Sequence, residues 1–215
     1  MKIFAFGDIH GCITYLEDLF RKVRKKIDRD EDLIVFIGDY IDRGPDPAGV
    51  VDFILELRKA YRTVCLAGNH EQMLLDYYYH ARNRELYFSN GGTTTIMSYG
   101  IVSTPSGKRI NIPPEHLEFY GSLLPYYETE KYIFVHAGIR PGVFLQDQDP
   151  VDLAWIRSEF IYSDFDFGKT VIFGHTSQLF RPYVDKYKIG IDTGAVYGGK
   201  LTCLELPAIR FHQAP

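Results

Sequence analysis

Five times in 215 residues a short apolar run stops abruptly at residues that carry chemistry. Ile3-Phe4-Ala5-Phe6 leads into Gly7-Asp8-Ile9-His10-Gly11, and Leu33-Ile34-Val35-Phe36-Ile37 into Gly38-Asp39-Tyr40-Ile41-Asp42-Arg43-Gly44. Val64-Cys65-Leu66-Ala67 leads into Gly68-Asn69-His70-Glu71, Tyr132-Ile133-Phe134-Val135 into His136-Ala137-Gly138, and Val171-Ile172-Phe173 into Gly174-His175-Thr176. Runs this short and this rich in β-branched residues read as strands buried on both faces. In an open α/β sheet, ligand-binding groups gather beyond the carboxyl ends of the strands. Five such ends sharing one rim would bring Asp, His, Asn and Arg side chains together.

Helices must cover those strands, and the spacing between the runs supplies them. Leu16, Leu19, Phe20, Val23 and Ile27 fall on one helical face, with Thr14 and Glu17 placed as a capping box. Asp46 is an N-cap with Pro47 at the first helical position, ahead of the stripe Val50, Phe53, Ile54 and Leu57. A third helix runs from Glu71 through Met73, Leu74 and Tyr77 to about Ala81, its Tyr77-Tyr78-Tyr79 run partly buried. Residues 82–125 read as a helical cap beside the site that carries some substrate preference. Asn90-Gly91-Gly92 marks a loop there, Pro113-Pro114 a helix start, and Leu117, Tyr120 and Leu124 an amphipathic face. The segments 182–185, 188–192 and 200–206 predict an antiparallel meander. One α/β domain spanning 1–215, built on a mixed sheet or two packed sheets, is the economical expectation.

Composition excludes several functions. A formal net charge of −4 gives no overall basic field for nucleic acid or anionic membrane. Cys12, Cys65 and Cys203 lack any CxxC spacing, which argues against a disulfide framework or zinc cluster and for core residues in a reducing compartment. No run approaches the ~18 apolar residues of a membrane span, and no signal peptide leads the first strand. The cytoplasm is the expected location.

Carboxylate, imidazole and amide oxygen together suit borderline divalent metals, manganese first, with iron and zinc as further fits. Asp8 and His10 lie two apart and would point the same way on an extended backbone to chelate one ion. Asn69, His136 and His175 would hold a second, with Asp39 bridging the pair. Paired ions of this kind activate a water for in-line displacement at phosphorus. Arg43 and Arg157 offer planar forks for phosphate oxygens. His70, oriented by Asp42, is the candidate donor of a proton to the leaving group. His80, His116 and His212 lie outside the strand-end motifs and are left out, and Asp192 reads equally as an acceptor from a metal-bound imidazole or as a simple turn aspartate.

Gly7-Asp8-Ile9-His10-Gly11, Gly38-Asp39-Tyr40-Ile41-Asp42-Arg43-Gly44 and Gly68-Asn69-His70-Glu71, followed by His136 and His175, resemble the signatures of the phosphoprotein phosphatase family of metal-dependent serine/threonine phosphatases. The resemblance is nearest to its compact bacterial and bacteriophage members, within the wider calcineurin-like phosphoesterases. It implies a four-layer metallophosphoesterase fold, a β-sandwich of mixed sheets flanked by helices. By the same resemblance Asp8, His10 and Asp39 hold one metal and Asp39, Asn69, His136 and His175 the other. Asp42 with His70 forms the acid pair, and Arg43 with Arg157 binds phosphate. Many nuclease-type relatives end in Gly-His-x-His where this chain has Gly174-His175-Thr176-Ser177, which favours the phosphatase branch. Asp192 to Tyr197 loosely resembles the loop that overhangs the site in eukaryotic members.

The leading expectation is therefore a phosphomonoesterase whose metal-bridging hydroxide attacks phosphoserine, phosphothreonine or phosphotyrosine in protein and peptide partners. The alternative enzyme reading is hydrolysis of dinucleoside polyphosphates such as diadenosine tetraphosphate, which needs stacking residues and extra cations. A phospho-partner binding module without turnover is the third reading, disfavoured because every ligand and both members of the acid pair are present.

Overall fold

The computed structural model describes residues 1–104, 107–177 and 181–215. The first half of the chain runs β1 (Ile3–Phe6), α1 (Ile13–Val23), β2 (Leu33–Phe36), α2 (Pro47–Ala60), β3 (Thr63–Cys65), α3 (Asn69–His80), α4 (Arg84–Ser89) and α5 (Gly92–Tyr99). There follow β4 (Ile101–Thr104), β5 (Gly107–Ile110), α6 (Pro114–Gly121), β6 (Tyr126–Glu128), β7 (Tyr132–Val135), α7 (Pro150–Trp155) and α8 (Ser158–Ile161). The chain closes with β8 (Thr170–Phe173), β9 (Tyr183–Val184), β10 (Lys188–Gly190), β11 (Leu201–Leu206) and β12 (Arg210–Ala214).

Two mixed sheets lie at the centre, ordered β12-β11-β1-β2-β3 and β6-β7-β8-β10-β9. β1 runs parallel to β2, with Ile3 opposite Leu33 and Phe6 opposite Phe36, and antiparallel to β11. Alternation along each strand sorts its side chains between two faces. Ile3, Ala5, Leu33 and Val35 meet Phe134, Ile172 and Ile189 between the sheets. Phe4, Phe6, Ile34 and Phe36 instead join Leu16, Leu19, Val50 and Ile54 of α1 and α2. Across the molecule Ile133, Val135, Val171 and Phe173 pack with Leu153 and Phe160 of α7 and α8. The order is helices, sheet, sheet, helices, which is why β1, β2, β7 and β8 carry no polar face.

Several local expectations need correction. Asp46 caps α2, accepting from the Gly49 amide at 3.0 Å with Pro47 behind it. No capping box opens α1, however. The helix starts one residue before Thr14, Cys12 stands at the N-cap, and no side chain caps it. Ile27 is buried but lies beyond α1, after a 3-10 turn at Arg24–Lys26. The meander holds only in part: β9 and β10 pair antiparallel, but β10 also runs parallel to β8 in that sheet, whereas β11 and β12 form a hairpin against β1 in the other. The cap holds a two-stranded hairpin, β4-β5, besides its helices. Leu124 falls outside α6, is 42% exposed, and bridges Leu66 instead. Tyr77 and Tyr78 are half-buried and Tyr79 is exposed. All three cysteines are free and buried, and among the described residues no helix is long and apolar enough to cross a membrane.

Candidate active site

Each predicted donor follows a strand end: Asp8 and His10 follow β1, Asp39 follows β2, Asn69 opens α3 after β3, His136 follows β7 and His175 follows β8. The chain turns so sharply there that His10, Asp39, Asp42, Arg43 and His175 all take left-handed backbone, with φ of 47°, 53°, 69°, 66° and 61°. Such conformations cost of order 1–3 kcal/mol each and persist only where surroundings over-determine them. Hydrogen bonds between the loops do so. The amides of Ile9 and His10 both donate to the Asp39 carbonyl at 3.0 and 2.8 Å, Gly11 donates to the Tyr40 carbonyl at 2.8 Å, and Gly174 donates to the His136 carbonyl at 2.7 Å. Buried Glu71 takes three more amides, those of Asp39, Tyr40 and Gly68, at 3.0, 2.9 and 2.9 Å.

Asp39 stands in the middle. Its Oδ2 lies 3.4 Å from His10 Nε2 and its Oδ1 lies 3.4 Å from His136 Nε2, so its two oxygens face two different imidazoles. His10 Nδ1 donates to the Ile41 carbonyl and His136 Nδ1 to the Ile37 carbonyl, each at 2.9 Å, which leaves the Nε2 lone pairs turned inward. The lone pair of His136 Nε2 then sits 3.0 Å from Asn69 Oδ1, an acceptor facing an acceptor. His175 Nε2 and Asp8 Oδ1 are buried with no partner among the described residues. Acceptors turned on one another, with orphaned atoms beside them, are what a cation site requires, and the donor set fits divalent metal. Among the described residues, the donor atoms of His10, Asp39 and His70, and of Asp39, His136 and His175, each lie within 4.8 Å of one another. Asp8 is not in either. Its Oδ2 accepts from the His175 amide at 2.9 Å, and Gly174 leaves room for its Oδ1, which a Cβ there would strike.

The electrostatics agree with that fit. Burial, then the neighbouring Asp192, pushes Asp8 well above the carboxylate range, and burial, then Glu71, does the same to Asp39. Burial pushes His136 down to about 3 and also lowers His10 and His175. Neutral imidazoles with free lone pairs beside carboxylates that resist ionising together form a site short of positive charge.

Next to this cluster His70 Nδ1 lies 2.6 Å from Asp42 Oδ2, with His70 Nε2 left facing Asp39 Oδ2 at 3.9 Å. Burial raises Asp42 to about 7 and lowers His70. Arg43 reaches His10 Nε2 at 2.6 Å and lies over the Tyr197 ring at 5.5 Å. Arg157 Nη1 lies 3.4 Å from the His175 carbonyl and 3.4 Å from Thr176 Oγ1. Both arginines, with Asn90, Trp155, Thr176 and Tyr197, line a cavity of about 310 Å³ over Asp39, Asn69, His70 and His175. All ten predicted residues therefore come together at one rim or beside it.

Asp192 does not receive an imidazole N–H. Its Oδ1 accepts from the Gly194 amide at 2.9 Å and closes a turn, as its place between β10 and Gly194 dictates. His116 and His212, left out of the site, pair elsewhere with Asp52 and Glu205. Glu71, Thr95, Tyr87 and Trp155 escaped sequence reasoning. Glu71 had a signal, a carboxylate three residues after a glycine that ends a strand. The others had none, because their partners lie far away in the chain.

The calcineurin-like phosphoesterase model matches residues 1–190. A bis(5'-nucleosyl)-tetraphosphatase PrpE [asymmetrical] of Oceanobacillus iheyensis is 30% identical over 98% of this chain and 91% of its own length. The protein of the same name from Halalkalibacterium halodurans is 28% identical over 100% of this chain and 94% of its own. Among solved structures, a candidate diadenosine tetraphosphatase superposes with a TM-score of 0.75 at 24% identity, over 100% of this chain and 93% of that one. A cold-active protein-tyrosine phosphatase of Shewanella gives 0.61 at 20% identity, over 100% and 80%. Both structures share the fold.

Proposed function

Since the chain belongs to the calcineurin-like phosphoesterase family, we propose that it hydrolyses dinucleoside tetraphosphates asymmetrically, releasing a nucleoside triphosphate and a nucleoside monophosphate. One observation carries this reading: relatives bearing that name match this chain over nearly its whole length and theirs, the segment between 82 and 125 included. They favour it over the phosphoprotein reading that the motifs first suggest.

The pocket supports it from the other side. Trp155 of α7 and Tyr197 of the turn before β11 line the pocket together with the two arginines. A base on an aromatic face gains roughly 1–3 kcal/mol, enough to offset the scarcity of further cations. In this reading Arg43 and Arg157 hold the phosphoryl group under attack. His70, oriented by Asp42, gives the Nε2 proton to the oxygen that departs. Asp8, His10 and Asp39 would hold one divalent metal and Asp39, Asn69, His136 and His175 a second. Bound there, the ions would supply an activated water and positive charge at the phosphoryl oxygens.

The test sets kcat/KM for diadenosine tetraphosphate beside that for phosphoserine and phosphothreonine peptides at saturating manganese. The nucleotide is expected to be preferred by tenfold or more, about 1.4 kcal/mol in transition-state binding, with ATP and AMP as products. Preference for the peptides by the same factor would return the assignment to a protein phosphatase, and two ADP would overturn the asymmetry.

A further inference from the structure

We propose that Thr95 and Tyr87, carried by the helical cap, are positioning residues for proton delivery: their hydroxyls fix the Asp42 carboxylate so that one oxygen alone is presented to His70. The inference rests on reading His70 as the proton donor. It does not depend on which phosphate ester is the substrate.

Asp42 is fully buried, and its two oxygens have different partners. Oδ2 faces His70 Nδ1 at 2.6 Å. Oδ1 accepts from Thr95 Oγ1 at 2.5 Å and from the Tyr87 hydroxyl at 3.2 Å. Thr95 Oγ1 also accepts from the Asp42 amide at 3.0 Å, so one hydroxyl holds both the backbone and the side chain of the same residue. Thr95 and Tyr87 are themselves fully buried. No water competes for these bonds, and a buried hydroxyl without its partner would cost ~1–3 kcal/mol. The carboxylate is thereby held against rotation about its last bond.

The strap that delivers these hydroxyls is built for close approach. α4 supplies Tyr87, α5 supplies Thr95, and Asn90-Gly91-Gly92 joins them directly over Asp42 and Arg43. The Gly91 carbonyl accepts from the Arg43 amide at 3.2 Å. A Cβ on Gly91 would lie 2.7 Å from Arg43 Cγ, and one on Gly92 would lie 2.5 Å from the Tyr87 ring. Asp42 and Arg43 are consecutive left-handed residues, so this strap supplies the restraint their backbone needs. With Oδ1 taken, the Nδ1 proton of His70 has one acceptor, and the ring stands with Nε2 toward the reaction. Paired with the Asp42 carboxylate, the ring takes a second proton from solvent on Nε2; that proton passes to the leaving oxygen as its bond to phosphorus breaks, and His70 is left neutral with Nδ1–H still on Asp42.

The experiment compares an alkyl ester, glycerol 2-phosphate, with the activated aryl ester p-nitrophenyl phosphate, using the manganese-loaded full chain. A general acid matters for the first and barely for the second. Thr95→Val is expected to lose about tenfold more kcat on the alkyl than on the aryl ester, with KM within about twofold on both. Thr95→Ser is expected to restore the wild-type ratio, and Tyr87→Phe to show a smaller split in the same direction. Loosened packing alone would lower both rates equally. Equal losses in Thr95→Val and Tyr87→Phe while His70→Asn shows the split would overturn the positioning role and leave the proton donor in place. Equal losses in His70→Asn would remove the donor and the proposal with it. Should Thr95→Val fail to fold, Tyr87→Phe, which empties little volume, decides the same question.

Discussion

At the scale of single residues, the candidate site is a collection of groups that burial makes uncomfortable. Asp192 shows this in isolation, since burial raises it to about 6 against the Gly194 amide and the two arginines. A carboxyl whose folded pKa is raised contributes stability that is full below its unfolded value, ~3.9, and lost as the pH climbs through the folded one. Asp192→Asn is therefore expected to make the metal-free protein more stable at pH 8. The gain should shrink as the pH falls from about 6 toward 4, where both forms are neutral. Urea unfolding in the presence of a chelator reads this, and a gain that grows toward acid would reverse the sign. The six candidate metal donors were legible in the sequence because strand ends announce themselves by where an apolar run breaks. Thr95 was not, because it meets Asp42 from 53 positions away and nothing local to either residue marks the pairing.

Elements were legible where their own ends carry the signal. Asp46-Pro47 is such an end, and its carboxylate does double duty: Oδ1 accepts the Gly49 amide at 3.0 Å and the Ser98 hydroxyl at 3.2 Å, tying α2 to α5. Asp46→Ala is expected to cost about 1–2 kcal/mol, measured by urea unfolding. A cost near zero would show that water replaces both bonds. The start of α1 misled because Thr14 and Glu17 satisfy a capping pattern that the helix, beginning at Ile13, passes over. Strand 188–190 pairs antiparallel with 183–184 as expected, but 201–206 joins the other sheet, since a strand's neighbour is chosen by how the chain closes and not by its own alternation.

For the whole molecule, the decisive fact is that the donors come from both sheets. Asp8, Asp39 and Asn69 follow strands of one, and His136 and His175 follow strands of the other. A cation held among them would join the two sheets at their common edge. Manganese at a hundred times its dissociation constant is expected to add about 2.7 kcal/mol to unfolding. Amide exchange should slow in β1 and β2 and in β7 and β8 alike. Protection confined to one sheet would mean that the ion does not span them. The double layer was legible through the resemblance of the motifs, which implies a four-layer sandwich, and not through the strands themselves, because five apolar runs state that strands are covered and leave open whether helix or sheet covers them.

The left-handed turns at His10, Asp39, Asp42, Arg43 and His175 set two selective pressures against each other. Glycine would relax the backbone at each of them, so a lineage chosen only for endurance to heat would drift toward glycine there and, on the proposed reading of the site, fall silent as a catalyst. A lineage chosen for turnover must carry the strain and recover it from the rest of the chain. Screens that rank variants by heat resistance alone would thus enrich dead proteins at these five positions, and a library built to harden this scaffold should leave them untouched.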